Sequence, residues 1–456
     1  MNRTLKISLL SLLIAGGCQQ NSAPTSPETS PTGSVMPVAA PAGGVPADGV
    51  SAGDPPGATA GVAEKAAAPS SSRAEPDRIP PEFAVTPQNF VRPQLTEDEL
   101  RAGWISLLDG FSLFGWEIPP DANWHVSDGC IVADSGRPSL LMTPFQFADI
   151  EFRCEFHLAE GGNSGIFLRC AEQVLSPVTD TYELNLCDGH PTHGTGSFVG
   201  RYVAENVPRV EGAWHGVRVL CEGPRLQVWL DDAKIADFTD TSESIRLTGT
   251  LGLQLNAGRI AFRHVAVRPL GGRDLFNGKD ITGWRVVAGS KSTFDVAEGA
   301  IQVRSGPGFL ETHDTFGDFL LHAEVRTSGA GLNSGIFFRA EPGTAEAPSN
   351  GYEMQIHNGI LDDDLSRPAD YGTGAVFRRV QARCVVARDG EWWTQTLIAQ
   401  GNRIATWVNG YQVVNWRDDR LPDSNPRRGR RDAAGHISLQ GHDATTDLEF
   451  RTVRIH

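Results

Sequence analysis

One ordered set of motifs occurs twice in this chain, and that repetition limits the fold more than any other feature. Asn163-Ser164-Gly165-Ile166-Phe167-Leu168-Arg169 returns as Asn333-Ser334-Gly335-Ile336-Phe337-Phe338-Arg339, and Tyr182-Glu183 returns as Tyr352-Glu353 at the same offset of 170. Before these motifs, the run from Trp104 to Trp116 matches the run from Asp274 to Trp284. After them, Gly194-Thr195-Gly196 pairs with Gly372-Thr373-Gly374, Trp229 with Trp407, and Gln254 with Gln440. A solenoid repeats every 20–50 residues or so, whereas this period is the size of a domain. A whole domain has been duplicated, with the cut near Leu270-Gly271-Gly272, giving bodies over 97–270 and 271–456.

Each copy reads as all-β. From Glu151 to Leu158, Phe152, Cys154, Phe156 and Leu158 alternate with Glu151, Arg153, Glu155 and His157, the period-two pattern of a half-buried strand. Thr406-Trp407-Val408 runs into Asn409-Gly410, a hairpin signal. No amphipathic helix longer than about ten residues is visible. Many short strands with Gly-rich turns predict a two-sheet sandwich or jelly roll in each copy.

The chain before residue 97 differs in kind. Arg3 and Lys6, the apolar run from Ile7 to Ile14, and Ala15-Gly16-Gly17-Cys18 have the layout of a secretory signal over 1–17. Small residues directly before Cys18 resemble a bacterial lipoprotein box, although Ala15 stands where that box usually has Leu. The resemblance implies acylation of Cys18, an exported protein and a lipid anchor in the cell envelope; plain signal cleavage is the alternative. Of the 29 prolines, 14 fall between residues 19 and 96, and no Phe, Tyr, Trp or Leu occurs between Cys18 and Phe83. Such a segment buries too little apolar surface to offset its ordering entropy, so 18–96 is expected to be a disordered tether.

Charge narrows the function classes. The chain has 40 Lys+Arg against 55 Asp+Glu, net −15, which argues against a nucleic-acid partner. Seven cysteines are too few for a disulfide scaffold in a chain of this length.

Both copies resemble the 3-keto-disaccharide hydrolase domain. The opening (Leu/Phe)-(Asp/Asn)-Gly…Gly-Trp, the Asn-Ser-Gly-Ile-Phe-x-Arg strand, the Tyr-Glu strand, the Thr-Gly loop and the final Leu-Gln strand carry the likeness. It implies two consecutive concanavalin A-like jelly rolls with a carbohydrate site on one sheet. The family pattern Tyr-Glu-x-Gln-x-x-Asp is incomplete in each copy. The first keeps Glu183 and Asp188 but has Asn185 for Gln; the second keeps Glu353 and Gln355 but has Asn358 for Asp.

Strand parity points to the same residues independently. Glu183 and Asn185 share a face, as do Glu353, Gln355 and His357, and as do Gln440 and His442; Gln254 matches Gln440 in the first copy. By the same parity Arg169 and Arg339 lie beside Phe167 and Phe337. In a 3-keto-glycoside the ketone acidifies the neighbouring C2 proton, so a base, a stabiliser of the enolate and an acid for the departing oxygen are needed. The second copy offers Glu353 or His357 as base or acid and Arg339 as charge stabiliser. The first offers Glu183, Asp188 and Arg169. Gln355, Gln440, His442, Asn333, Asn185, Gln254 and Asn163 would position the sugar. The competing reading is a non-catalytic, lectin-like pair of modules. Asp362-Asp363-Asp364 could supply oxygen ligands to a divalent cation such as Ca²⁺, although three Asp in a row usually form a solvated loop. Arg427-Arg428-Gly429-Arg430-Arg431 reads as a loop engaged in local salt bridges.

Overall fold

Each repeat folds as two antiparallel sheets closed on an apolar core. The computed structural model describes residues 79–425 and 427–456; the expected signal segment 1–17, Cys18 and the tether up to residue 78 lie outside the described residues. In the first repeat the smaller sheet runs Ser139–Phe147, Gly249–Ala257, Asn163–Cys170, Tyr182–Leu186. Its partner is an eight-stranded sheet whose central strands are Trp214–Glu222, Ile150–Leu158 and Ile260–Pro269. In the second repeat the smaller sheet runs Trp284–Val286, Gly308–Thr312, His436–Gly441, Ser334–Ala340, Tyr352–Ile356. It packs on another eight-stranded sheet centred on Asp447–Ile455, Phe319–Thr327 and Trp393–Gln400. The protein is therefore all-β among the described residues, a pair of two-sheet antiparallel sandwiches. Among the described residues the only α-helix is Glu97–Arg101, started by a capping box between Thr96 and Glu99. None is long and apolar enough to cross a membrane.

Local sequence explains the layers. Ile150–Leu158 alternates between buried and half-buried positions along its length. Phe152, Cys154 and Phe156 enter the core, while Glu151 and Glu155 face outward to Arg268 and Arg263 at 2.5 and 2.6 Å. Each large apolar side chain so buried is worth about 1.5–3 kcal/mol. Asn163–Cys170 is buried on both faces. Ile166 and Leu168 enter the core between the sheets, and Phe167 and Cys170 pack with Val174 on the opposite face. Asn409 and Gly410 both have positive φ, the two-residue turn that Asn-Gly favours. The six described cysteines are free and buried.

Residues 79–96, expected to belong to the tether, are packed. Val85 lies in the core of the second repeat, the Phe90 ring packs tilted against Tyr411 with ring centres 5.0 Å apart, and the Arg383 guanidinium donates to the Phe83 carbonyl at 3.1 Å. Three apolar anchors, Phe83, Val85 and Phe90, suffice to dock a strap whose average composition is that of a linker. Beyond it the repeats meet directly. Arg383 donates to Asp109 at 2.9 Å with both side chains buried, and its guanidinium lies 3.8 Å from the centre of the Phe114 ring. Trp407 donates its indole N–H to the Ser106 carbonyl at 2.9 Å, and Gln146 and Gln400 exchange two hydrogen bonds.

Candidate functional site

The outward face of each smaller sheet carries the chemistry. In the first repeat, register places Phe167 opposite Glu183 and Gly252, and Gly165 opposite Asn185 and Gln254. Glu183 and Gln254 therefore sit diagonally across Gly165, on strands that flank it. They meet there: the Gln254 amide donates to the Glu183 carboxyl at 3.2 Å. Glycine permits this, since a Cβ at 165 would stand 3.3 Å from both Glu183 Cγ and Gln254 Oε1. Glu183 is only 7% exposed, and burial pushes its carboxyl up to about 7. Around it the face is apolar, with Phe167, Leu140 and Met142 in one cluster.

The second repeat keeps the plan and changes the surroundings. Glu353 lies opposite Phe337, and Gln355 and Gln440 flank Gly335. Here the Arg427 guanidinium donates to the Glu353 carboxyl at 2.8 Å and lies 4.9 Å from the centre of the Phe337 ring. Burial raises the Glu353 carboxyl above the usual carboxylate range, and Arg427 opposes it. Gln355 donates to Asn333 at 3.3 Å and to the Asp370 carboxyl at 3.2 Å, and Asn333 donates to Asp370 at 2.9 Å. Where the first repeat has Met142, the second has Glu311, opposite Ser438 and bonded to Arg285.

Three glutamines of the smaller sheets share one property, which Gln395 of the opposing sheet also has. The Oε1 atoms of Gln254, Gln355 and Gln440 are buried with no hydrogen-bond partner among the described residues. An unmet buried acceptor costs on the order of 1–3 kcal/mol; Gln254 and Gln440 keep slight exposure at this face, whereas Gln355 is wholly buried. The rings of Phe167, Phe309 and Phe337 pack beside this face and are themselves buried.

Several expected site residues lie elsewhere. Arg169 and Arg339 are fully buried side chains that do not reach this face. Arg169 donates to the carbonyls of Ala148, Gly223 and Arg246 and to Asp149. Arg339 does the same with Gly317, Gly401, Arg431 and Asp318. The cause is a β-bulge: both have positive φ, and the register shifts at this point in both strands, so parity counted from Phe167 or Phe337 fails. They are structural pins, and the charge-stabiliser role expected of them has no basis here. Asp188 is a loop clasp, accepting from the Thr195 hydroxyl at 2.7 Å and from the backbone N–H groups of Val210 and Glu211. Asn358 accepts from the Thr373 hydroxyl in the same way, so the Asp/Asn difference between the copies falls on a loop contact.

The remaining expected residues border the site. Asn185 donates to the His193 carbonyl, and Asn163 begins its strand half-buried on the Gly165 side. His357 is half-buried and accepts from the Gly359 N–H through Nδ1 at 3.2 Å. His442 is bonded to Asp443 at 2.8 Å and acts on Glu353 only through space. Asp362 and Asp363 have positive φ and form a hairpin turn, while Asp364 caps Ser366. Among the described residues no group of three His, Cys, Asp or Glu is arranged to hold a metal ion. The basic loop does engage in local ion pairs, Arg430 with Asp432 and Arg431 with Glu341. Its first member, Arg427, is the site residue that sequence reasoning missed, because loop residues obey no parity.

Fold and site together define a tandem antiparallel β-sandwich with a buried carboxyl on the outward face of each smaller sheet. The chain belongs to the 3-keto-alpha-glucoside-1,2-lyase-like domain family, which matches residues 103–268 and again 271–456. A 3-keto-disaccharide hydrolase from Bacteroides thetaiotaomicron is 26% identical over 153 residues. That match takes in 26% of this chain and 52% of the relative, so the chain spans about half the length of that curated protein. Among solved structures, a candidate glycosyl hydrolase from Parabacteroides distasonis is 22% identical, covering 40% of this chain and 100% of its own, at a TM-score of 0.36. The carbohydrate binding module CBM66 of Bacillus subtilis is 17% identical, covering 35% and 96%, at 0.28. Neither likeness bears on what this chain acts on.

Proposed function

We propose that the protein cleaves 3-keto-glycosides by acid/base chemistry at the outward face of its smaller sheets, and that it works outside the cytoplasm, anchored through an acylated Cys18. The observation that carries the reading is the buried Glu183 carboxyl on the outward face, accepting a hydrogen bond from the neutral Gln254 amide. Family membership supports it.

In this reading the carboxylate takes the C2 proton, which the C3 ketone has made acidic. The C–H electron pair moves into an enolate whose charge rests on the C3 oxygen, where a glutamine N–H can meet it. The enolate then expels the glycosidic oxygen. The C1–O bond breaks, a C1=C2 double bond forms, and the leaving oxygen takes the proton that the carboxyl had removed. The products are an unsaturated 3-keto sugar and the freed sugar or alcohol; adding water across the double bond completes a net hydrolysis. A carboxyl near pH 7 is suited to both halves, since both its forms are populated there.

The test is incubation of the full chain with 3-keto-trehalose, following sugar release, beside the double variant Glu183→Gln/Glu353→Gln. Release is expected from the wild type and not from the variant. Equal release from both would overturn the reading.

A further inference from the structure

The two sites are built on one plan and differ in one respect that matters chemically: what stands beside the carboxyl. At Glu183 the only described partner is the neutral Gln254 amide. The connection that could have brought a cation, between Ala233–Thr239 and Gly249–Ala257, contains one arginine, and it is turned away. Arg246 donates instead to the Arg169 carbonyl at 2.6 Å. Arg201, the other arginine nearby, is held by Asp240 in an ion pair buried on both sides. In the second repeat the matching connection is longer and carries Arg427 onto Glu353.

Resting on the function proposed above, we propose that the repeats divide the work: the first transfers protons to and from the sugar, and the second, its carboxyl clamped by Arg427, holds a sugar unit without transferring protons. A group that removes and returns a proton must change charge in each cycle. Glu183 can do so with little rearrangement, because its neighbours Gln254, Phe167 and Met142 carry no charge. The value near 7 set by burial agrees with that duty. Protonating Glu353 would break its ion pair and leave the Arg427 guanidinium over Phe337 facing a neutral acid, a cost that proton transfer at Glu183 does not carry.

What the second site offers is recognition. Arg427 and Glu353 provide charge-assisted donors and acceptors for neighbouring hydroxyls. Gln440, slightly exposed at the same face, adds an acceptor without a partner. Phe309 and Phe337, with ring centres 5.2 Å apart, are themselves buried and form the apolar floor on which Arg427 rests. The occupant is a hexose unit of the same glycans that the first site cleaves, in which a 3-keto group is not required.

The experiment compares Glu183→Gln, Glu353→Gln and Arg427→Gln in the full chain, measuring kcat and KM on a 3-keto-disaccharide and binding of the unoxidised disaccharide by calorimetry. Glu183→Gln is expected to lower kcat at least about 100-fold, the scale of a lost acid/base group. Glu353→Gln and Arg427→Gln are expected to act on KM and to weaken disaccharide binding about tenfold, with a smaller kcat loss than Glu183→Gln. A kcat loss that is equal in the two glutamate variants, or larger in Glu353→Gln, overturns the division. Unchanged disaccharide binding in both Glu353→Gln and Arg427→Gln overturns the role of the second site. No turnover by the wild type refutes the enzymatic reading itself, and with it proton transfer at Glu183; loss of binding in Glu353→Gln would then leave a sugar-binding protein.

Discussion

Replacing Glu183 by Gln should make the protein more stable, and only above a definite pH. Glu183 is buried beside an uncharged amide and apolar side chains, and its carboxyl is pushed up from 4.5 to about 7. In the unfolded chain the same group titrates near 4.5. The folded state therefore favours the neutral acid, so this group's full contribution is present below pH 4.5 and is lost as pH rises toward 7. The difference of 2.5 units corresponds to about 3 kcal/mol at 1.36 kcal/mol per unit. Little solvent screening reduces it, since the side chain is almost wholly buried. Glutamine is isosteric with the protonated acid and carries no such cost. Denaturant melts followed by tryptophan fluorescence should show variant and wild type alike at pH 4, separating to about 3 kcal/mol in favour of the variant at pH 8. A stability difference that does not change with pH would refute the argument that burial of an uncompensated carboxyl governs this site.

Other perturbations should act in distinct ways. Arg339→Met removes a buried cation that holds three carbonyls and Asp318; a loss of about 3–5 kcal/mol in unfolding free energy is expected, seen as a lowered melt. Gly335→Ala places a Cβ 2.9 Å from Glu353 Cγ, displacing that side chain and weakening sugar binding in calorimetry while the sandwich still melts cooperatively. His322 is fully buried with its pKa depressed by that burial to about 4. Its contribution to stability is complete above pH 6.5 and falls away as pH drops toward 4, by about 3 kcal/mol. His322→Asn should flatten that acid limb of a stability–pH curve.

The duplication, the all-β class and the two glutamates were legible because each rests on a local regularity. Motif spacing reveals a repeat, alternation reveals a strand, and parity along Tyr182–Leu186 and Tyr352–Ile356 holds without interruption. Arg169 and Arg339 were misplaced because one residue in a left-handed conformation reverses the faces of all that follow it, and a standard strand motif carries no mark of that bulge. Asp188 was misread because a carboxylate that accepts backbone N–H groups in a loop has the same local sequence as one that faces a ligand. Arg427 was invisible as a site residue since it reaches Glu353 from 74 positions away. The strap 79–96 was hidden by its prolines, which set its average composition while Phe83, Val85 and Phe90 determine where it binds.

That strap imposes an order on the making of the protein. Phe83 is bonded to Arg383, 300 positions later, and Phe90 packs on Tyr411. A ribosome adds roughly 5–20 residues per second, so the N-terminal segment emerges roughly 15–60 s before its docking surface exists. The first sandwich can close its own sheets in that interval, and Asp109 then has its hydrogen bonds from Phe111 and Ser112 but lacks its cationic partner Arg383 until the second sandwich has been made. Assembly thus finishes with the docking of the 79–96 strap, and a product truncated before Arg383 would be left with a loose strap and a carboxylate without its ion-pair partner.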